Sequence, residues 1–215
     1  NKESNVLYAF YDLQVSANTF DIIFFLILAE RARISHGCNA LHIIIVPELD
    51  EGYSKLKTYK KIGSKNFDLD YMRWREKNIL IPCCFLLPNI KKVTSCISRA
   101  EAQAFESLLV KHIFPDGYSV RFPIESYSLN HIINSEGDLP TLQSGNEAQR
   151  IINDWITINA GGRKIITITL KESYYGQKRN SNIKDWGEFA RSLDHNKYLA
   201  VIIRDAERVF TPIPN

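Results

Sequence analysis

The stretch Ala40-Leu-His-Ile-Ile-Ile-Val46, closed by Pro47, constrains the fold more than any other part of the chain. A surface strand alternates apolar and polar residues. A nearly continuous apolar run of this length suits a parallel strand covered on both faces. A matching run, Val6–Tyr11, lies upstream and ends at Asp12. Between them the spacing predicts a helix from about Thr19 to Ser35. Asn18 or Thr19 serves as its cap, Asp21 sits in its first turn and Gly37 stops it. Phe20, Ile23, Phe24, Ile27 and Leu28 form its expected inward face, with Glu30, Arg31 and Arg33 in solvent. Strand, helix and strand together make a βαβ unit, for which a right-handed crossover is expected.

The pattern continues downstream. The polar region Glu48–Lys77 is expected to hold a loop and a short helix near Asp68–Glu76, and an apolar stretch leads from Asn78 to Leu87. Val93–Ile97 reads as a strand. Ser98-Arg-Ala-Glu101 is a capping box that opens a helix to about Lys111, with Ala102, Phe105, Leu108 and Leu109 inward. Tyr118–Phe122 follows as a short strand, and Glu125–Gly145 reads as a linker. A helix from Glu147 to Asn159 carries Ile151, Ile152, Trp155 and Ile158 on one side and is stopped by Gly161-Gly162. Then come a strand ending at Leu170, a basic loop, a helix from Asn182 to about His195 with Trp186 and Phe189 as core, and a strand Tyr198–Ile203. Strands alternating with helices predict an α/β fold with a mostly parallel, doubly wound sheet. The division expected is residues 1–145 and residues 146–215.

Charge and composition narrow the function classes. With 27 basic and 24 acidic residues the net charge is +3, too mild to predict a nucleic-acid partner. No apolar run approaches the roughly 20 residues that a membrane-spanning helix needs, so only peripheral membrane contact is expected. No signal peptide is visible. Cys38, Cys83, Cys84 and Cys96 lie in or beside apolar segments and make no C-x-x-C pair, which predicts reduced thiols and a cytoplasmic location. The histidines are scattered, and Asp68-Leu-Asp70 lies in a polar region, so neither a metal nor a bound cofactor is expected.

Ligands of doubly wound sheets sit outside the carboxyl ends of strands. That rule selects the loops after Tyr11, Ile97 and Leu170. Asp12, Ser16 and Asn18 are small polar groups at the first. Arg99 stands in the first turn of a helix, where the dipole disfavours a cation, and a ligand would explain the conflict. Arg73, Trp74 and Arg75 form a cation–aromatic group. At the third loop, Lys171, Lys178 and Arg179 precede a cap at Ser181 or Asn182. Free amides and cations together form an anion site, although a solvated loop with an ordinary cap has the same composition. Glu172 is placed to act as a general base. Asp205, ending the last strand, suits a ribose or sugar hydroxyl.

The strand Ile165–Leu170, the loop through Arg179-Asn180-Ser181, the helix with Trp186 and Phe189 and the strand ending at Asp205 resemble the first unit of the C-terminal half of GT-B-type glycosyltransferases. The resemblance implies two Rossmann-like halves: an N-terminal half that meets a glycan acceptor, and the start of a second half that holds a nucleotide-sugar. Further residues for base and ribose would then lie beyond Asn215. It implies that Lys171, Arg179, Asn180, Ser181 and Asp205 face the donor and its diphosphate. Ser16, Asn18 and Arg99 would meet the acceptor, and Asp12 and Glu172 would supply catalysis. The expected activity is metal-independent sugar transfer in surface glycan synthesis. Two other classes stand beside it: a non-catalytic α/β binding or scaffold domain, and a phosphate-ester enzyme with Glu172 as base.

Overall fold

The computed structural model describes residues 5–50, 60–62, 65–67, 69–108, 112–124, 139–172, 177–205, 208 and 210–213. The chain divides into two compact units, Asn1–Gly145 and Asn146–Asn215.

The first unit is built on the two apolar runs. Strand β1 (Val6–Asp12) pairs in parallel with β2 (Ala40–Val46) along its whole length, from Val6 opposite Ala40 to Asp12 opposite Val46. β5 (Ile90–Ser95) adds on the far side of β2, and the two-residue β6 (Ile113–Phe114) on the free side of β1, giving a four-stranded parallel sheet in the order β5-β2-β1-β6. The protein is thus a Rossmann-like α/β protein. A separate antiparallel pair, β3 (Lys60–Ile62) and β4 (Lys65–Phe67), precedes helix α2 (Leu69–Arg75). Alternate residues of the central strands enter different layers, as the pleat requires. Leu7, Ala9, Tyr11, Leu41, Ile43 and Ile45 pack with Ile22, Phe25, Leu26 and Ala29 of α1 (Ile22–Ser35) and with Leu80, Cys83 and Cys84. Phe10, Ile44 and Val46 pack on the opposite side with Ala102 of α4 (Arg99–Leu108), Tyr118 and Val120. Both faces of β2 are covered, so its polar interruption must also be satisfied: the His42 imidazole lies 2.8 Å from the Thr94 hydroxyl.

Several expectations are corrected here. The buried face of α1 is Ile22, Phe25, Leu26, Ala29 and Glu30, whereas Phe20 is 65 % exposed. The helix is apolar almost all round from Ile22 to Leu28, so spacing alone does not select a face. Glu30, expected in solvent, is buried and holds Arg33 in a two-pronged ion pair while accepting from the Asn89 amide. Gly37 does end the helix, with φ +64, as Cys38 donates back to the Arg33 carbonyl. β5 begins and ends before the expected Val93–Ile97, leaving Ile97 outside the ladder. Tyr118–Phe122 forms no strand: the chain turns at Pro115-Asp116-Gly117, where the Tyr118 amide donates to the Pro115 carbonyl. The capping box is formed, with the Glu101 amide donating to Ser98 Oγ, but the Glu101 carboxylate reaches the Ile97 amide, one residue earlier than expected. Leu109, Lys111, Asp68 and most of Glu125–Gly145 lie outside the described residues.

The stretch from Glu76 to Cys84 has a local cause. Pro82 lacks an amide hydrogen and its ring crowds the carbonyl four residues back. Upstream of it the chain widens into a π-turn, Glu76–Leu80, in which the Ile81 amide donates to the Glu76 carbonyl; a short helix α3 (Ile81–Cys84) follows.

The second unit contains α5 (Asn146–Ala160), β7 (Lys164–Thr169), α6 (Ile183–Ser192) and β8 (Tyr198–Ile203). β7 and β8 pair in parallel from Lys164 opposite Tyr198 to Thr169 opposite Ile203. Its core is small: Ile168, Leu170 and Ala190, with Ile166, Ile183, Ala200 and Ile202 against them. Trp186 and Phe189, expected as core, are 43 % and 42 % exposed and meet edge to face. The apolar side of α5 is also open, with Ile152 and Ile158 at 57 % and 80 % exposure. A sheet of two strands gives these helices little surface to pack on. No helix among the described residues is long and apolar enough to cross a membrane.

Candidate functional site

Three groups of side chains gather at carboxyl ends of strands. The first lies where the strand order reverses, between β1 and β6. Asp12, the last residue of β1, forms a fork-to-fork pair with Arg99, the first residue of α4: Arg99 Nη1 to Asp12 Oδ1 and Nη2 to Oδ2 are both 2.8 Å. The guanidinium also donates to the carbonyls of Pro47 and Val120. The Tyr118 hydroxyl donates to Asp12 Oδ2 at 2.7 Å, and the Gln14 amide to Oδ1 at 2.9 Å. Burial works against the Arg99 charge, but the bonds and charge of Asp12 outweigh it and hold its pKa above the ordinary value. Burial, followed by the Asp12 charge, pushes the Tyr118 phenol well up, so it stays a donor. The cation in the first helical turn is therefore answered by Asp12. The crevice offered by the sheet is filled by a saturated cluster of the protein's own groups.

The loop after β1 is drawn onto α2. Tyr11 donates to the Ala17 carbonyl, Asn18 Nδ2 to the Met72 carbonyl at 3.1 Å, and Arg75 Nε to the Asn18 carbonyl. Ser16 and Asn18 are buried, at 9 % and 8 % exposure, and the Ser16 amide donates to the Asp12 carbonyl. Of the cation–aromatic group, Arg75 stacks its charge over the Tyr71 ring at 5.6 Å, and Trp74 is 45 % exposed.

A second group lines an open cleft of about 260 Å³ at the carboxyl end of β5: Arg73, Glu76, Lys77, Ile81, Ser95, Cys96 and Ile97. Ser95 Oγ donates to Glu76 Oε1. Burial raises the Glu76 pKa above the usual carboxylate range, against the opposing pull of Ser95 and of the Arg73 charge. The Cys96 thiol is pushed up to about 12, first by burial and then by the charges of Glu101 and Glu76, so it is a poor nucleophile. Sequence reasoning selected the end of this strand and the neighbouring arginines but missed Glu76. Its one sequence signal is position: a single acid between Arg73, Arg75 and Lys77, on the approach to Pro82.

The third group lies in the second unit. After β7, the Lys171 amide donates to Ser181 Oγ and the Ser181 amide to the Lys171 carbonyl, both at 2.9 Å, closing the loop on itself. Both Glu172 carboxylate oxygens accept from Arg204, at side-chain exposures of 5 % and 6 %, and Arg204 also donates to the Thr211 carbonyl. The hydrogen bond from Arg204, more than its charge, depresses the Glu172 pKa. Asp205 Oδ2 accepts from the Glu172 amide at 2.9 Å. Lys171, Glu172, Ser181 and Asp205 are thus brought together. A 3₁₀ turn, Gln177–Arg179, carries Lys178 and Arg179 outward, and among the described residues neither takes an ion-pair partner. Half-buried Asn180 links this turn to Ser181. The cap of α6 is Asn182, which accepts from the Asp185 amide at 3.4 Å and donates to the Asp185 carboxylate.

Asp70 is exposed on α2 and lies 3.5 Å from Arg73; among the described residues no group of acids, histidines and cysteines is arranged to hold a metal ion. No family model, no curated protein and no solved structure matches the chain.

Proposed function

We propose that the protein transfers a sugar from a nucleotide-sugar donor to a glycan acceptor, with Lys178 and Arg179 meeting the diphosphate of the donor. One observation carries this reading. The acids at the carboxyl ends of β7 and β8 are already neutralised or engaged, Glu172 by Arg204 and Asp205 by the Glu172 amide, while the adjoining turn presents its two cations without a partner among the described residues. A guanidinium and an ammonium so placed stabilise the negative charge that develops on a departing diphosphate. The Lys171–Ser181 clamp holds the turn beside the strand ends. Surface glycan synthesis in the cytoplasm is the setting that goes with this activity.

The test is titration with uridine- and guanosine-diphosphate sugars, reading intrinsic fluorescence and thermal stability. Trp186, on the first turns of α6, is the expected reporter. Binding that disappears in Arg179→Ala with the melting temperature of the free protein unchanged supports the donor site. No response to any nucleotide-sugar at millimolar concentration removes it.

A second reading, a non-catalytic binding domain, is favoured by a specific observation. Asp12 and Glu172 are each held by both oxygens in a buried arginine pair, so neither is a free base. Release of nucleoside diphosphate in the presence of donor and water or acceptor separates the two: a binding domain releases none. The geometry gives no support to Glu172 as the base of a phosphate-ester enzyme.

A further inference from the structure

The cleft at the end of β5 belongs to neither arginine-locked cluster. Glu76, Ser95, Cys96, Ile81 and Ile97 line it together with the exposed cations Arg73 and Lys77. Four features separate it from an ordinary surface dent. Glu76 is an acid largely withdrawn from water, and the hydrogen bond it makes among the described residues, from Ser95, uses one carboxylate oxygen. It stands at the start of a π-turn, a distortion that recurs at functional sites because it re-aims side chains within a helix. Arg73 and Lys77 line the same cleft as Glu76, and the Arg73 charge is felt at its carboxyl. Ile97 is 79 % exposed and lines the cleft with these polar groups.

We propose that this cleft binds a small sugar phosphate: hydroxyls of the sugar donate to the second oxygen of Glu76 and exchange with Ser95, the ring's C–H face lies on Ile97 and Ile81, and the phosphate meets Lys77 and Arg73. Each element answers one part of the ligand. A carboxylate accepts from paired hydroxyls better than any neutral side chain, and it repels an anion that lacks hydroxyls to offer. The cations on the rim supply the attraction that a neutral sugar would not receive. A volume of about 260 Å³ is just under the range of roughly 300–1,000 Å³ for drug-sized ligands, which suits a monosaccharide with one phosphate. The proposal does not rest on sugar transfer or on the second unit.

Calorimetric titration of the whole chain tests it, with glucose 1-phosphate, glucose 6-phosphate, ribose 5-phosphate and glycerol 3-phosphate as probes, and with glucose and inorganic phosphate as controls. At least one sugar phosphate is expected to bind at least tenfold more tightly than either control. Glu76→Gln should weaken it about tenfold, Lys77→Ala about threefold to tenfold, and Ile97→Glu should abolish it by placing a negative charge on the open lip. Lys184→Ala, in the second unit, should leave it unchanged. If Glu76→Gln impairs folding, the exposed positions Lys77 and Ile97 still decide the matter. Failure of every probe to bind below about 5 mM overturns the proposal, as does binding equalled by inorganic phosphate or unmoved by Ile97→Glu and Lys77→Ala. Nucleotide-sugar binding lost in Arg179→Ala is a separate outcome, so this site and the donor site can fail independently.

Discussion

Replacing Arg99 by methionine should cost the first unit more stability than any comparable surface change. The side chain is 6 % exposed and its partner Asp12 is 1 % exposed. Without the guanidinium, Asp12 keeps the Tyr118 hydroxyl and the Gln14 amide but loses its countercharge, and the carbonyls of Pro47 and Val120 lose their donor. Breaking a buried pair by removing one partner costs about 3–5 kcal/mol. The unit spans Asn1–Gly145. At about 2.1 cal/mol/K per residue, a loss in that range lowers its melting temperature by roughly 10–16 °C. Asp12→Leu should cost a similar amount by stranding the cation. The double variant Asp12→Leu/Arg99→Met should cost at least about 2 kcal/mol less than the sum of the singles, because no charge is left buried. Urea unfolding followed by fluorescence and circular dichroism measures all of this. Singles costing under about 1 kcal/mol, or an additive double variant, would refute the view of this cluster as a saturated structural plug.

Other outcomes follow from the same geometry. Burial, reinforced by the charges of Lys92 and Lys91, lowers the His42 pKa from its ordinary value to about 4, so its stabilising effect is full above the unfolded value near 6.5 and is lost as pH falls. Between pH 6.5 and pH 5 wild type should lose about 1.5 kcal/mol relative to His42→Gln, measured by urea unfolding; equal slopes would contradict it. Arg204→Met should raise amide exchange in β7 and β8 by detaching Glu172, while leaving exchange in β1 and β2 unchanged. Cys84 and Cys96, both buried with thiols pushed up to about 12, should resist iodoacetamide at pH 8 until the chain is unfolded, as mass spectrometry of peptides would report. Gly37→Ala, at φ +64 with open space around its Cβ position, should destabilise by about 1 kcal/mol through backbone strain alone, read from the urea midpoint.

The parts of the fold that were legible in the sequence depend on short-range rules. The run Ala40–Val46 could be satisfied only between two layers, and Gly37, Ser98 and Glu101 act within one turn of their own positions. What escaped depends on partners far away. The buried face of α1 was ambiguous because nearly every residue from Ile22 to Leu28 is apolar. The exposure of Trp186 and Ile158 reflects how little sheet the second unit offers, which periodicity cannot count. Among the candidate site residues, Asp12 and Arg99 were both singled out, yet their mutual pairing across 87 residues was not. Glu76 was missed because its partner Ser95 lies 19 residues away on β5, and because the π-turn that begins at Glu76 changes the helical register without a trace in hydrophobic spacing.

The position of β1 also sets an order of events during synthesis. β1 lies between β2 and β6, and the Asp12 carboxylate waits for Arg99 and then for Tyr118, 106 residues further on. A nascent chain can form the β1–β2 pair early, but one edge of β1 and a charged strand end stay open until the residues around Ile113 and Tyr118 leave the ribosome. At about 5–20 residues per second that interval lasts several seconds. During it the most apolar strands of the molecule have a free edge, and the unpaired Asp12, a charge at that edge, disfavours its docking against another nascent chain.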